Sequence, residues 1–531
     1  MANNTTASKY TLYFEAEGLA DMDTMSKSDP YLVLYQLPPA DLIQAYGGQA
    51  CAKTTRGAPL TVGRTEVVQN SLNPKFKKSI EVLFYFEARQ DYRISMFDDD
   101  GSGGGDDLGS VDFQLSHVMT ARGKTLKLNL SKKGSVSITA VEQMNAGGDT
   151  VCLTFAGTKM KKMDTFSASD CYFKIGRRVS ATRTDIFYTS EVIDDSLEPR
   201  WKPTAKIPIG SLTGADLDEP TIVFQCFDQD TVSDEPMGQF VASFNELQAA
   251  AKAFNDKVDV KASEFQLFDE KKKAFGTIIM KAIDIHHMPS FGEYLQNGWQ
   301  ISLAVSVDFT GSNGNPKSQT SLHQFQQGMA NPNQYVRALI GVGEILLQYD
   351  TDKMVPLFGY GASINGRTEH FFHVNQQPNP YVAGVRGMLD AYYAFVPNAM
   401  LSGPTNFAPT IISATKGARD TANDKVYTVL LILTDGEITD MDATIDAIVE
   451  ADDAPMSIII VGVGNGCDFK AMDQLDGDGQ KLRGRRRQAR RDIVQFVPYR
   501  NFINAPVEAL SAEVLREVPM QFLEYVKMKG L

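Results

Sequence analysis

The chain has 531 residues, 43% hydrophobic and 22% charged, with a formal net charge of −13. That acidity argues against a general nucleic-acid-binding surface, and the length allows three or four domains at about 100–200 residues each. Five scattered cysteines (Cys51, Cys152, Cys171, Cys226, Cys467) form no CxxC pair and leave one over, which points to a reduced, cytoplasmic setting rather than a disulfide framework.

The N-terminal MANNTTASKY lacks the apolar stretch of a signal peptide, and Ala2 stands where myristoylation needs glycine. The next segments read as strands: Tyr10–Ala16, Tyr31–Leu37, Thr65–Asn70, Phe76–Phe84, Tyr92–Phe97, Ser110–Leu115, Leu126–Asn129 and Val136–Val141. Several alternate apolar with polar residues, as half-buried strands do. Eight short strands in succession predict a β-sandwich, whose loops gather at its two ends.

Two of those loops are acidic. MFDDDGSGGGDDLG places Asp98, Asp100 and Asp106 around a Gly/Ser tip, and LADMDTMSKSDP places Asp23 and Asp29 six residues apart. Carboxylates this dense repel one another, unless they stay solvated or surround a divalent cation. Calcium takes six to eight oxygen ligands in flexible geometry and suits such a loop.

The pattern then recurs in the same order. KMKKMDTFSASDCY carries Asp164 and Asp170, again six apart. SLEPRW (Ser196–Trp201) matches SLNPKF (Ser71–Phe76). FDQDTVSDEPMG carries Asp228 and Asp230, then Asp234 and Glu235, then a glycine. Independent solvated turns would not bring three matching segments in order, so a duplication into two sandwiches is expected, over 8–144 and 148–285. The SDPY segment, the D-x-D-x5-D loop and the LNP-plus-aromatic turn resemble C2 domains, the calcium-dependent phospholipid-binding modules. The resemblance implies Asp23, Asp29, Asp98, Asp100 and Asp106 as calcium ligands of the first domain. It implies Asp164, Asp170, Asp228 and Asp230 for the second, with Asp234 or Glu235 as the fifth. Cys171 replaces the proline of SDPY.

A linker over 286–298 follows, with His286 and His287, which as neighbours on an extended segment point apart. From Trp299 the texture changes. Apolar strands (Ile301–Val307, Met354–Gly359, Tyr427–Leu433, Ser457–Val463, Ile493–Val497) alternate with helical stretches such as Gln334–Tyr349 and Pro380–Phe395. This predicts a doubly wound α/β sheet over 299–522 with ligands at the carboxyl ends of its strands. There stand Asp308, Thr310 and Ser312, whose alternation turns three oxygens toward one ion, and Asp435 in LTDG. Few charges and several hydroxyls suit magnesium. The arrangement resembles a von Willebrand factor A domain with its metal-ion-dependent adhesion site, read here as Asp308, Thr310, Ser312, Thr405 (in SGPTNFAP) and Asp435, for Mg2+ or Mn2+. An acidic residue of a protein partner completes the metal shell in that family.

Two C2-like domains before one A-like domain, with VDFTGSNGNP, YDTDKM, GPTNFAP, PMSIIIVGVG and RDIVQFVPYR, closely resemble the copine family. The resemblance implies a cytoplasmic protein that moves to anionic plasma or intracellular membranes (phosphatidylserine, phosphoinositides) when calcium rises and recruits protein partners through the A domain, in membrane trafficking or signalling. Lys159, Lys161 and Lys162, beside the second calcium loop, and Lys27, beside the first, are the candidate lipid contacts, each adding about 1 kcal/mol near an anionic leaflet.

Enzyme readings find little support. RGKT (Arg122–Thr125) ends like a phosphate-binding loop, but Val118 occupies the required glycine position. No G-x-S-x-G elbow or H-E-x-x-H motif is present. His370 and His373 face opposite sides of a strand. A calcium-regulated lipid-modifying enzyme with C2 targeting domains is the rival reading, but the oxygen ligands have no adjacent base. Finally, KLRGRRRQARR (Lys481–Arg491) reads as a solvated loop, or else as an anionic-lipid contact or nuclear-import signal.

Overall fold

The computed structural model describes residues 7–531, except 24–25, 40–41, 43–45, 47–56, 102–104, 144–147, 164–166, 181–182, 215, 231–232, 258, 270, 325–331, 437, 466–467 and 478–480. The chain divides into two compact units, 1–143 with 291–531, and 144–290.

The first sandwich is built from β1 (Ser8–Glu17), β2 (Pro30–Gln36), β3 (Leu60–Arg64), β4 (Ile80–Phe84), β5 (Asp91–Asp99), β6 (Gly105–Gln114), β7 (Thr125–Asn129) and β8 (Ser135–Glu142). They form two four-stranded sheets, in the orders β4-β1-β8-β7 and β3-β2-β5-β6. The alternation is visible in β1, where Tyr10, Leu12, Phe14 and Ala16 are buried. One expected strand is displaced: the regular ladder on β2 lies at β3, ahead of 65–70. Thr65 ends it, because its hydroxyl rather than a main-chain carbonyl accepts the Leu32 N–H at 2.9 Å.

The same unit contains the α/β sheet, with β17 (Gln300–Asp308), β18 (Met354–Tyr360), β23 (Val426–Thr434), β24 (Met456–Gly462) and β25 (Val494–Pro498) in the order β18-β17-β23-β24-β25, all parallel. These strands are buried on both faces, as parallel strands covered by helices must be. Between β18 and β23, β19 (Ala362–Ile364) pairs with β20 (Arg367–Glu369), and the short antiparallel β21 (Phe372–His373) and β22 (Tyr381–Ala383) extend the β18 side. One of them, Tyr381–Ala383, occupies the start of the expected helix 380–395, which begins at Gly384. The expected linker contains a short helix, Phe291–Gln296.

The first sandwich and the α/β sheet share one core. The Phe86 ring lies 4.8 Å from Tyr349 and 4.9 Å from Phe291, and the Tyr349 hydroxyl donates to the Phe86 carbonyl at 3.0 Å. Arg89 pairs with Glu344 at 3.1 Å, and Gln296 donates to the Ala140 carbonyl at 3.1 Å.

The second unit holds β9 (Thr150–Thr158), β10 (Cys171–Ser180), β11 (Arg183–Thr189), β12 (Ile207–Pro208), β13 (Ile222–Asp228), β14 (Glu235–Ala242), β15 (Glu264–Phe268) and β16 (Ala274–His286). Its core stacks Phe155, Phe173, Phe224 and Trp201. His286 and His287 turn to different partners, Cys152 and Asp149.

Candidate metal centres and flanking loops

In the first sandwich, β5 runs its inward-facing register through Tyr92, Ile94 and Met96 to Asp98, so a carboxylate enters the end of the core, 1% exposed. Its Oδ1 accepts the Asp29 N–H at 2.5 Å. Its Oδ2 is buried and has no hydrogen-bond partner among the described residues. Oxygens of Asp23, Asp98 and Asp100 lie within 4.8 Å of one another. Asp106 stands directly opposite Asp98 across β5–β6. Asp29 reaches the group through its main chain, while its side chain accepts the Asn70 N–H at 2.6 Å. Partial desolvation, then the fields of Asp106, Asp98, Asp23 and Asp99, push the Asp100 carboxyl up. A buried orphan oxygen amid carboxylates fits a hard cation with oxygen ligands. Asp107 turns away: the Gly109 N–H, with Lys132, holds its carboxyl low.

The second sandwich repeats these bonds. Asp228 is buried and accepts the Asp170 N–H at 2.5 Å, and Asp170 accepts the Asp195 N–H at 2.7 Å. Asp164 lies outside the described residues. Asp230 is exposed, with its N–H directed to Asp234 Oδ1 at 3.4 Å. The two candidates for a fifth ligand differ. Both copies carry the same bulge, before Gly109 in β6 (φ 115°) and before Gly238 in β14 (φ 102°), a conformation that favours glycine. Past the bulge, Glu235 stands opposite Asp228 as Asp106 stands opposite Asp98. The Asp234 carboxylate instead accepts the Tyr172 hydroxyl at 2.6 Å. Around these loops Met22, Lys27, Lys159 and Lys162 are exposed and Lys161 is half-buried.

At the carboxyl ends of β17 and β23, Asp308 is fully buried. Its Oδ1 accepts the Thr310 N–H (2.8 Å) and hydroxyl (2.6 Å), and its Oδ2 accepts the Thr434 hydroxyl (3.0 Å) and the Asp435 N–H (3.4 Å). Burial nonetheless pushes its carboxyl up against the pull of these donors. Ser312 Oγ lies 3.0 Å from Thr310 Oγ1. Asp308 thus orients the hydroxyls, and the oxygen donor set fits a magnesium-like ion. Thr405 is buried on the adjoining loop, which is tied to the site by the Gly311–Ser402 hydrogen bond, and no hydrogen bond joins its side chain to Asp308. Asp440 accepts the Phe407 and Ala408 N–H groups at 3.0 Å and so caps the helix Ala408–Asp420.

Sequence reasoning missed His323, which belongs to no motif. It is fully buried between the rings of Phe309 and Tyr335, with Nε2 2.8 Å from the Asp308 carbonyl and Nδ1 2.8 Å from the Tyr392 hydroxyl. Burial holds its pKa down to about 3. It is therefore neutral, and because a carbonyl only accepts, Nε2–H donates and Nδ1 accepts.

The basic run keeps Lys481, Arg483, Arg485, Arg486 and Arg490 exposed, and part of it is also anchored. Arg485 pairs with Asp446, and Arg487 and Arg490 with the buried Asp452 at 2.6 and 2.9 Å. Arg491 is buried and donates to the carbonyls of Asp452, Ala454, Met456 and Gln521 and to the Tyr427 hydroxyl. Partners for these charges come from 30 to 64 residues away in sequence, which no local pattern discloses.

Among the described residues, no helix is long and apolar enough to cross a membrane. Solved structures similar to parts of the chain include BON1-C2B (16% identity, 27% of this chain and 94% of that one, TM-score 0.23). Others are the calcium-bound C2A and C2B domains of Extended-Synaptotagmin 2 (15%, 53% and 98%, TM-score 0.21) and human GIVD cytosolic phospholipase A2 (11%, 68% and 45%, TM-score 0.19). A C2 domain family model matches residues 12–130 and 150–257, and a Copine family model matches residues 321–531. Two C2 domains followed by a copine domain are the copine architecture, and the chain belongs to the copine family.

Proposed function

We propose that this copine is a calcium-responsive peripheral membrane protein that docks on anionic phospholipid through both C2 domains and recruits protein partners through its A domain. The observation that carries the reading is that oxygens of Asp23, Asp98 and Asp100 lie within 4.8 Å of one another, while the buried Asp98 Oδ2 has no hydrogen-bond partner among the described residues.

In the first domain Asp23, Asp29, Asp98, Asp100 and Asp106 would hold calcium. In the second, Asp164, Asp170, Asp228 and Asp230 would do so, with Glu235 in the fifth place on the strength of its strand pairing. Bound calcium supplies the positive charge that lets an acidic loop end approach phosphatidylserine. The chain's own contribution is to fix the carboxylates in advance: the Asp98–Asp29 and Asp228–Asp170 hydrogen bonds lock one loop to the next. Met22, Lys27, Lys159, Lys161 and Lys162 then face the headgroups. In the A domain, Thr310, Ser312, Thr405 and Asp435 would hold Mg2+ or Mn2+, with Asp308 orienting the hydroxyls and His323 fixing the Asp308 main chain. An acidic side chain of a partner would complete the shell. The proposed setting is the cytoplasm, with movement to plasma or other intracellular membranes in trafficking or signalling.

Cosedimentation with phosphatidylserine vesicles, with calcium and with EGTA, tests the reading. Calcium-dependent pelleting is expected; pelleting that ignores calcium, or none, would overturn it.

A further inference from the structure

The second sandwich gathers sulfur where the first does not. On the inward-facing positions of β10 and β13, Cys171 stands opposite Asp228, and Cys226, two residues before that aspartate, stands opposite Gly238 of β14. The bulge before Gly238 leaves Met237 without a partner on β13, and its side chain is buried in the core. At the same places the first sandwich carries Pro30 (opposite Asp98), Met96 (opposite Gly109) and, at the bulge, Leu108. Those three residues offer one thioether. Their counterparts offer two thiols and a thioether.

The three sulfur atoms meet. Cys171 Sγ lies 3.8 Å from Met237 Sδ, and the Cys226 thiol is hydrogen-bonded with that of Cys171. All three residues are fully buried. A metal–thiolate bond is about 2.3 Å long, so sulfurs that share one ion in tetrahedral or trigonal geometry stand about 3.8–4.0 Å apart. The Cys171–Met237 separation is that of two ligands on one ion. The register argues against a disulfide as the use of this pair. Cys171 faces Asp228 and Cys226 faces Phe173, so the two cysteines are diagonal neighbours across the ladder. Diagonal neighbours stand about 7–8 Å apart, outside the usual Cα separation of a disulfide.

The donor set selects the ion. Thiolate and thioether sulfur are soft ligands that favour copper(I). Zinc draws on thiolate, imidazole and carboxylate, and calcium and magnesium on oxygen, so none of them has a use for Met237. Binding exchanges the two thiol protons for one Cu+ and leaves the ion with three sulfur ligands.

We propose that Cys171, Cys226 and Met237 form a copper(I) site in the core of the second C2 domain, next along the same strands to Asp170 and Asp228. The ion joins β10, β13 and β14 from the inside, whether or not the loop end takes calcium. Because all three ligands are buried, loading requires local opening of the sheet.

The probe is Cu+ itself, kept reduced and free of oxygen and presented overnight to the full-length protein as its bicinchoninate complex. The parent carries Cys51→Ser, Cys152→Ser and Cys467→Ser, so that no other thiol competes, and Trp299→Phe, so that Trp201 reports alone. It is expected to withdraw one equivalent of copper, seen as loss of the complex's colour. The fluorescence of Trp201 should change in step, since its indole donates to the Cys171 carbonyl at 3.1 Å. Cys171→Ala should lower the affinity at least about a hundredfold, the upper end of what losing a mere outer-shell partner costs. Cys226→Met and Met237→Leu install the residue types of the first sandwich, which give their cores a packing precedent, and each should bind at least about tenfold more weakly. Metal-free Trp201 emission matching the parent's identifies the folded variants. No copper withdrawn by the parent, copper withdrawn without a change at Trp201, or equal withdrawal by the parent and every folded variant overturns the proposal.

Discussion

Replacing Arg491 by methionine should destabilise the α/β sheet severely. The guanidinium is 3% exposed and donates to four main-chain carbonyls, those of Asp452 (2.7 Å), Ala454 (2.6 Å), Met456 (2.8 Å) and Gln521 (3.1 Å), besides the Tyr427 hydroxyl (3.1 Å). It thereby ties the helix Val518–Lys529 to the segment leading into β24. A hydrogen bond from a charged donor contributes about 1.5–3 kcal/mol. The Ala454 and Met456 carbonyls keep second donors in the Met456 N–H and the Tyr427 hydroxyl. The remaining losses share one relaxation and do not add in full, so a loss of about 4 kcal/mol is expected. Lysine brings three donors on one nitrogen and should recover part of this. Trp299 reports locally, since it packs on Phe522 at 5.0 Å and Tyr525 at 6.3 Å, and Arg491 lies 5.5 Å over the Tyr525 ring. With Trp201→Phe as background, its fluorescence follows urea unfolding of this unit alone. At a slope of about 2–3 kcal/mol per molar urea, the midpoint should fall by about 1.5 M. A fall of less than about 0.3 M would refute the view that Arg491 is a structural tie.

Three further outcomes are expected. Asp98→Asn should abolish the calcium-induced slowing of amide exchange in Asp91–Asp99, a stabilisation of about 2.7 kcal/mol at a hundred times the dissociation constant; slowing that persists would refute the role of its buried oxygen. In an Asp98→Asn/Asp100→Asn background, Glu235→Gln should weaken the remaining calcium binding measured by calorimetry, and Asp234→Asn should spare it, because Tyr172 already engages that carboxylate; the reverse order would refute the strand-pairing argument. Burial raises the Asp452 carboxyl, but hydrogen bonds from Arg487 and Arg490 outweigh it and hold the group below its ordinary value of 3.8. Its folded value being the lower one, the stabilisation is present above 3.8 and lost as pH falls through the folded value. The urea midpoint of wild type should therefore drop more steeply on acidification than that of Asp452→Asn, and parallel profiles would count against it.

What could be read from sequence was what is local or repeated. The acidic loops carry their spacing with them, and duplication supplied a second copy against which to check the first. The alternation in β1 and the doubly buried β23 declare their environments by composition. The fifth ligand of the second domain was ambiguous because a linear count cannot see a bulge, and the bulge before Gly238 shifts the pairing by one residue. His323 escaped notice because its partners, the Asp308 carbonyl and the Tyr392 hydroxyl, are 15 and 69 residues away. The anchoring of Arg487, Arg490 and Arg491 escaped notice for the same reason. The shared core of the first sandwich and the α/β sheet depends on single aromatic residues, Phe86, Phe291 and Tyr349, that follow no period.

That shared core changes what a dissected fragment can report. Since residues 1–143 and 291–531 close into one unit, the second C2 domain is an excursion from it, and the textual order of the domains is a poor guide to where the chain can be cut. A fragment beginning at the A-domain sheet leaves behind Phe86 and Phe291 and bares the rings of Tyr349 and Phe522 that they cover. Rings bared in this way are expected to adhere to other proteins, so capture by such a fragment would report on a wound in the fold rather than on the face that carries Asp308.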